Sequence, residues 1–331
     1  MARNLQIKKA FRGADRFSFL LLLLTVCLTC SGCRNQNVPD DLYSFEARAG
    51  NFSRDSEAAA VPFASGLSVL TGEDDQVPQL EAEAAAVFDL SGGEAIFHKN
   101  ALERMNPAST TKIMTAILAL KNGNLDEEIT VGDEVTVTEA GSSMCGVLPG
   151  ETMTLRQLLY GLMLPSGNDA ANAIAVHLAG SIDAFADMMN EEARRIGATG
   201  THFVNANGLT DPDHYTTAYD LYLMFREALT YPEFREIIGT QSYTAVYTGA
   251  DGTEKSTVWT ASNYYMTGKA EAPDGLSVFG GKTGTTSAAG YCLIMGCRSE
   301  DGHEYASVVM KAGSRDQLYD NMTKIISNIV K

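Results

Sequence analysis

Positive charge is scarce in this chain: 25 Lys and Arg stand against 41 Asp and Glu, a formal net charge of −16 over 331 residues. An acidic protein repels a polyanion, so nucleic acid is not an expected partner. Histidine is sparse as well, with five in all, and His177, His202 and His214 have no zinc-type spacing. No metal and no cofactor is therefore expected, and His214 with Asp220 is read as organising the loop before a helix that starts near Thr217. The six cysteines form no disulfide framework. Cys292 and Cys297 are five apart on one predicted strand, so they face opposite ways and should not pair. With Cys145 they read as small core residues, a bridge through Cys145 being the one pairing left open. Internal repeats and a glycine-rich nucleotide loop are absent; Gly280-Gly281 only precedes a strand. Long apolar runs are missing too, since Phe17 to Leu28 is too short to span a bilayer comfortably as an ordinary helix.

Three short polar strings stand out against this background: Ser109-Thr110-Thr111-Lys112, Ser166-Gly167-Asn168 and Lys282-Thr283-Gly284. Asn106-Pro107 supplies a cap and a proline for a helix that runs through Ile113, Met114, Ile117, Leu118 and Leu120 to Asn122-Gly123. Residues three apart share a helix face, which puts the Lys112 amine beside the Ser109 hydroxyl. A serine hydroxyl needs a neighbour to take its proton, and a lysine can do so only when burial or a second cation lowers its pKa. Lys282 could be that cation. Ser166 and Asn168 fall in a tight loop between helical patterns at Thr154–Met163 and Asp169–Leu178, where they can point into a cleft, relay a proton or bond a substrate amide. Either can equally cap the second helix. Lys282 lies on a predicted strand; its cation and the hydroxyls of Thr283 and Thr285 or Thr286 suit a free carboxylate. Gly284 removes a side chain where substrate would approach the strand.

Taken together and in this order, the strings resemble those of the penicillin-binding proteins and class A β-lactamases. The glycine in Ser166-Gly167-Asn168 makes the chain similar to the D-alanyl-D-alanine carboxypeptidases of serine peptidase family S11. So do Pro165-Ser-Gly-Asn-Asp-Ala170, Asn207-Gly208-Leu209 with His214-Tyr-Thr-Thr-Ala-Tyr-Asp220, and Lys282-Thr-Gly-Thr-Thr-Ser-Ala-Ala-Gly290. The likeness covers roughly Glu83 to Lys331. It implies Ser109 as acylated nucleophile, Lys112 as base, and Ser166 and Asn168 as cleft partners. Lys282, Thr283, Gly284 and Thr285 would bind substrate, and the N–H groups of Ser109 and Thr285 would form an oxyanion hole. The implied reaction removes the terminal D-Ala from peptidoglycan stem pentapeptides, with β-lactams acylating Ser109 in the substrate's place. A D,D-endopeptidase or transpeptidase, a β-lactamase and a non-catalytic penicillin sensor are the alternatives. No Glu-x-x-Leu-Asn string lies between Asn168 and Lys282 to activate water for fast deacylation. The arginine that some members place beside the asparagine upstream of the Lys-Thr-Gly strand is missing from Ser262-Asn263-Tyr264.

The implied fold is mixed α/β of the β-lactamase/DD-peptidase kind, an antiparallel sheet flanked by helices with an inserted helical lobe from about Ala116 to Leu229. Strand patterns occur at Ala84–Asp89, Ala95–Lys99, Tyr243–Tyr247, Thr257–Thr260, Tyr291–Cys297 and Tyr305–Lys311, and early and late strands are expected in one sheet. At the start, Arg3, Lys8, Lys9, Arg12 and Arg16 precede the short apolar run, the pattern of an export signal over residues 1–32. Thr29-Cys30-Ser31-Gly32-Cys33 resembles a bacterial lipobox, so Cys33 is expected to carry lipid and hold the protein at the outer face of the cytoplasmic membrane. A freely secreted product and an uncleaved signal anchor are the alternatives. Loss of residues 1–32 removes five cations and one anion and moves the charge to about −20. Residues 33–80 read as a linker and 81–331 as one catalytic domain. A single helical pattern, Arg315–Val330, follows the last strand, so the C-terminal anchor of many members is not expected.

Overall fold

The computed structural model describes residues 67–68, 70 and 80–327. The expected signal at 1–32, Cys33, most of the stretch read as a linker and the last four positions lie outside the described residues. In chain order the elements are β1 (Ala84–Asp89), β2 (Ala95–Lys99), α1 (Lys112–Asn122), β3 (Glu128–Thr130), β4 (Thr152–Thr154), α2 (Leu155–Met163), α3 (Asn168–Ala179), α4 (Ile182–Arg195), α5 (Ala218–Ala228) and α6 (Pro232–Gly239). They continue with β5 (Ser242–Thr248), β6 (Glu254–Thr260), β7 (Leu276–Thr286), β8 (Gly290–Ser299), β9 (Glu304–Ala312) and α7 (Arg315–Ile326).

The main sheet is antiparallel throughout, in the order β2-β1-β9-β8-β7, so the first and last strands of the chain do lie together. Its inner strands read as unbroken apolar runs because both faces are covered. Alternate residues divide between two cores: Ala84, Ala86 and Phe88 turn toward the helical lobe, while Ala85 and Val87 pack with Leu318, Met322 and Ile325 of α7. Each buried leucine or isoleucine is worth about 1.5–3 kcal/mol relative to exposure. The same alternation sends Cys292 to the lobe side and Cys297 to the α7 side. Both are free and buried, as is Cys145.

Two expectations need correction. The hairpin β5–β6 does not join the main sheet; it pairs through Thr248 with Thr152 and builds a second, four-stranded sheet in the order β3-β4-β5-β6. Its other members, β3 and β4, are three residues each, too short to leave a period in the sequence. Asn106 does not cap a helix over Ser109 either. The chain makes a 3-10 turn at Ala108–Thr111 with no side-chain cap, and α1 begins only at Lys112. The Asn106 amide instead donates to the carbonyls of Asp211 and His214, tying the turn to the loop before α5. That loop is arranged by His214 as expected: its Nε2 lies 2.8 Å from Thr111 Oγ1, and Nδ1 accepts from Val204 N. Asp220 accepts from Thr201 Oγ1, and Thr217 caps α5. Ser68, in the stretch read as linker, engages the Tyr219 hydroxyl through both its N–H and its carbonyl.

Candidate active site

Ser109 projects from a strained turn. The residue before it, Ala108, has φ +48°, a left-handed conformation that costs a non-glycine residue about 1–3 kcal/mol. Lys112 Nζ lies 2.9 Å from Ser109 Oγ, 2.6 Å from Asn168 Oδ1 and 2.7 Å from the Asn207 carbonyl. Lys112 is wholly buried, and that burial, reinforced by the charge of Lys282, holds its pKa well below the usual lysine value against an opposing pull from Asp169. A neutral amine has two N–H groups and one lone pair. The two amide oxygens can only accept, so both N–H groups go to Asn168 and Asn207 and the lone pair is left for the Ser109 hydroxyl. The Asn207 carbonyl had no sequence signal of its own, since a backbone oxygen carries none.

The second string arrives at the N-terminus of α3. Ser166 is also left-handed, with φ +68°, and its Oγ accepts from Lys282 Nζ at 2.9 Å. Lys282 donates as well to the Thr283 carbonyl at 2.8 Å and is buried, which lowers its pKa to about 7. Its ammonium thus lies beneath the cleft floor and reaches Ser166 directly. Asn168 accepts from Lys112 through Oδ1 and also lines the cavity at Ser109. Asp169, given no role in the sequence reading beyond opening a helical pattern, accepts from the N–H groups of Cys145, Gly146 and Val147 and pins the loop that rims the cleft. An acid in the first turn of a helix was the available clue.

The third string lies on β7. A Cβ on Gly284 would come within 2.9 Å of the Pro107 carbonyl and 3.0 Å of Ser109 N. The glycine therefore serves the approach of β7 to the serine turn, a contact that the sequence did not suggest. This contact puts the backbone at Gly284–Thr285 beside Ser109 N, where two N–H groups can converge on one oxygen. Gly208, at φ +90°, meets the same turn from the other side, its added Cβ falling 1.9 Å from the Ala108 carbonyl.

Two cavities meet at Thr285. The larger, about 540 Å³, is lined by Ser109, Asn168, Asn207 and Gly208 and by the loops at 139–143 and 285–288. The smaller, about 190 Å³, is lined by Thr283, Ser262, Tyr264, Lys269, Tyr291 and Arg315 among others. Ser262 Oγ and Thr283 Oγ1 are 2.7 Å apart. Arg315, the first residue of α7, lies over the Tyr264 ring and donates to its hydroxyl at 3.1 Å. Arg315 and Lys269 thus bring two cations to this cavity; Lys269 follows Asn263 by six residues in sequence, whereas Arg315 arrives only through the packing of α7. No group of metal-ligating side chains occurs among the described residues.

A family model described as D-alanyl-D-alanine carboxypeptidase, peptidase S11, matches residues 71–314. The chain belongs to this family. Among its relatives, D-alanyl-D-alanine carboxypeptidase DacF of Bacillus subtilis is 33% identical over 252 residues, 74% of this chain and 61% of DacF. DacB2 of Mycobacterium tuberculosis is 39% identical over 50% of this chain and 57% of its own length. The chain therefore spans about three fifths of these carboxypeptidases. The crystal structure of the Streptomyces K15 DD-transpeptidase superposes with a TM-score of 0.71 at 30% identity, covering 76% of this chain and 98% of that one.

Proposed function

We propose that the protein is a serine D-Ala-D-Ala carboxypeptidase acting on peptidoglycan stem pentapeptides. The observation that carries this is the buried Lys112 amine 2.9 Å from Ser109 Oγ, its pKa held well below the usual lysine value by burial and by the charge of Lys282. Ser109 Oγ attacks the carbonyl between the two terminal D-Ala residues as its proton passes to Lys112 Nζ. The oxyanion is met by the N–H groups of Ser109 and Thr285. The proton then travels through Ser166 to the departing amine, the C–N bond breaks, and D-Ala leaves with an ester on Ser109. Water hydrolyses the ester by the reverse relay. Lys282, Thr283, Arg315 and Lys269 give the departing residue's carboxylate a cationic setting. A β-lactam bearing a carboxylate beside its amide bond would enter the same way and acylate Ser109.

Incubation of pentapeptide with the protein, followed by mass spectrometry, should show loss of one alanine; Ser109→Ala should abolish both that loss and penicillin labelling while remaining folded. Full labelling of the variant would point to another nucleophile. A transpeptidase reading is favoured by one observation, the likeness to a structure named as a DD-transpeptidase. Adding a free amino-acid acceptor separates the two, since a transpeptidase yields the exchanged peptide at the expense of hydrolysis.

For location, the support is in the sequence alone: the basic and apolar leader and the Cys33 context propose a lipid on Cys33 and attachment to the outer face of the membrane. Intact-mass analysis of membrane-extracted protein beside Cys33→Ser tests it. An unmodified start at another residue would remove the tether.

A further inference from the structure

The two cavities that meet at Thr285 differ in sign. The smaller is lined by the cations Lys269 and Arg315 and by no acid. The larger, which holds Ser109, has one charged residue in its lining, Glu139. Glu139 is exposed, and its carboxylate makes no hydrogen bond or ion pair among the described residues; only its backbone carbonyl is engaged, by Ser142 N. Ser142 lines the same lobe and keeps a hydroxyl without a partner among the described residues. The loop carrying both is not loose, because Asp169 pins its far end at residues 145–147.

Building on the carboxypeptidase reading above, we infer that Glu139 is a specificity-determining residue that receives a free amine on the acyl side of the scissile bond. A peptide lying across Ser109 with its terminal carboxylate in the cationic cavity must send the acyl portion into the other. An extended chain advances about 3.3–3.4 Å per residue, so a side chain one or two residues upstream of the reacting carbonyl falls within that lobe. There the lining mixes hydroxyls, Ser142, Thr286 and Ser287, with the apolar Ala140, Leu209 and Ala288. Its one charged group is the Glu139 carboxylate, which rewards a cationic side chain. The cleft therefore reads its substrate by two charges of opposite sign, with the reacting bond between them. Glu139 is solvated, so the attraction is modest, about fivefold in specificity at low salt, and salt should weaken it.

The test compares Nα-acetyl-L-Lys-D-Ala-D-Ala, with its side-chain amine free, against the same peptide acetylated on that amine, following D-Ala release. The free-amine peptide should show the higher kcat/KM by about fivefold at low salt. That ratio should fall to about one in Glu139→Gln and below one in Glu139→Lys. Equal turnover of both peptides by the unaltered protein, or an unchanged ratio in the variants, overturns the role given to Glu139 while leaving D-Ala release in place. Release of D-Ala from neither peptide removes the carboxypeptidase reading and this inference with it.

Discussion

Lys112 is held to three oxygens, two of which can only accept, and this constraint decides what the residue can do. Replacing it with Met keeps the buried length and removes the base, so penicillin acylation should fall by about 10²–10⁴-fold while circular dichroism is retained; labelling at the normal rate would mean that another group takes the proton. Lys282 has a pKa near 7, so its charge is present below that pH and is lost as pH rises through it. The kcat/KM for D-Ala release should accordingly decline on the alkaline side from about pH 7, read from a pH–rate profile. Arg315→Gln should raise KM for a substrate ending in a free carboxylate several-fold and change little for its C-terminal amide. The side-chain set of the site was legible because serine, lysine and asparagine at those spacings have a chemical reason to be together. Two parts were not legible because they had no side-chain pattern to read: the Asn207 carbonyl, and Arg315, which reaches the cleft from a helix that begins 30 residues after Thr285; the Asp169 clamp left only the weak mark of an acid in a first helical turn.

Among the elements, β7 and the Asn207-Gly208-Leu209 loop press on the serine turn from two sides, each through a glycine. Gly208→Ala needs both a left-handed alanine and a displaced Ala108 carbonyl; the expected cost is about 2–3 kcal/mol in urea unfolding, with slower acylation. Wild-type stability and rate would show that the turn can give way. The loop before α5 carries a pH signature. Burial lowers the His214 pKa to about 4, below its unfolded value of about 6.5, so the fold keeps it neutral where the unfolded chain binds a proton. Its contribution is full above about pH 6.5 and is lost as pH falls toward 4, up to about 3 kcal/mol in total. Thermal melts across pH 7 to 4 should show a smaller drop in a His214→Gln variant that still folds. Long, doubly buried strands such as β8 and β9 were visible in the sequence as apolar runs, and α2 and α3 as periodic segments. The second sheet was not, because two of its strands are three residues long and the pairing of Thr152 with Thr248 is a long-range event that no local pattern encodes.

At the scale of the whole molecule, the cleft between the main sheet and the helical lobe has one carboxylate in its larger cavity, Glu139 on an exposed rim, and none beside Ser109 in that lining. A penicilloyl group on Ser109 should therefore persist far beyond a normal turnover, followed by mass spectrometry after drug removal; rapid repeated hydrolysis would favour a β-lactamase. The burial of Lys112 carries a further consequence. Its partners Asn168 and Asn207 are 56 and 95 residues away, and Lys282 reaches Ser166 across 116. In the unfolded chain Ser109 is an ordinary alcohol and Lys112 an ordinary ammonium, and neither reacts. Folding is the step that arms the nucleophile, so the fraction labelled by penicillin counts native molecules. In a urea series that fraction should fall together with tryptophan fluorescence, reported by Trp259 packed beneath the rim at Cys145. A chain still unfolded would meet the drug untouched and become vulnerable only once its native contacts have formed.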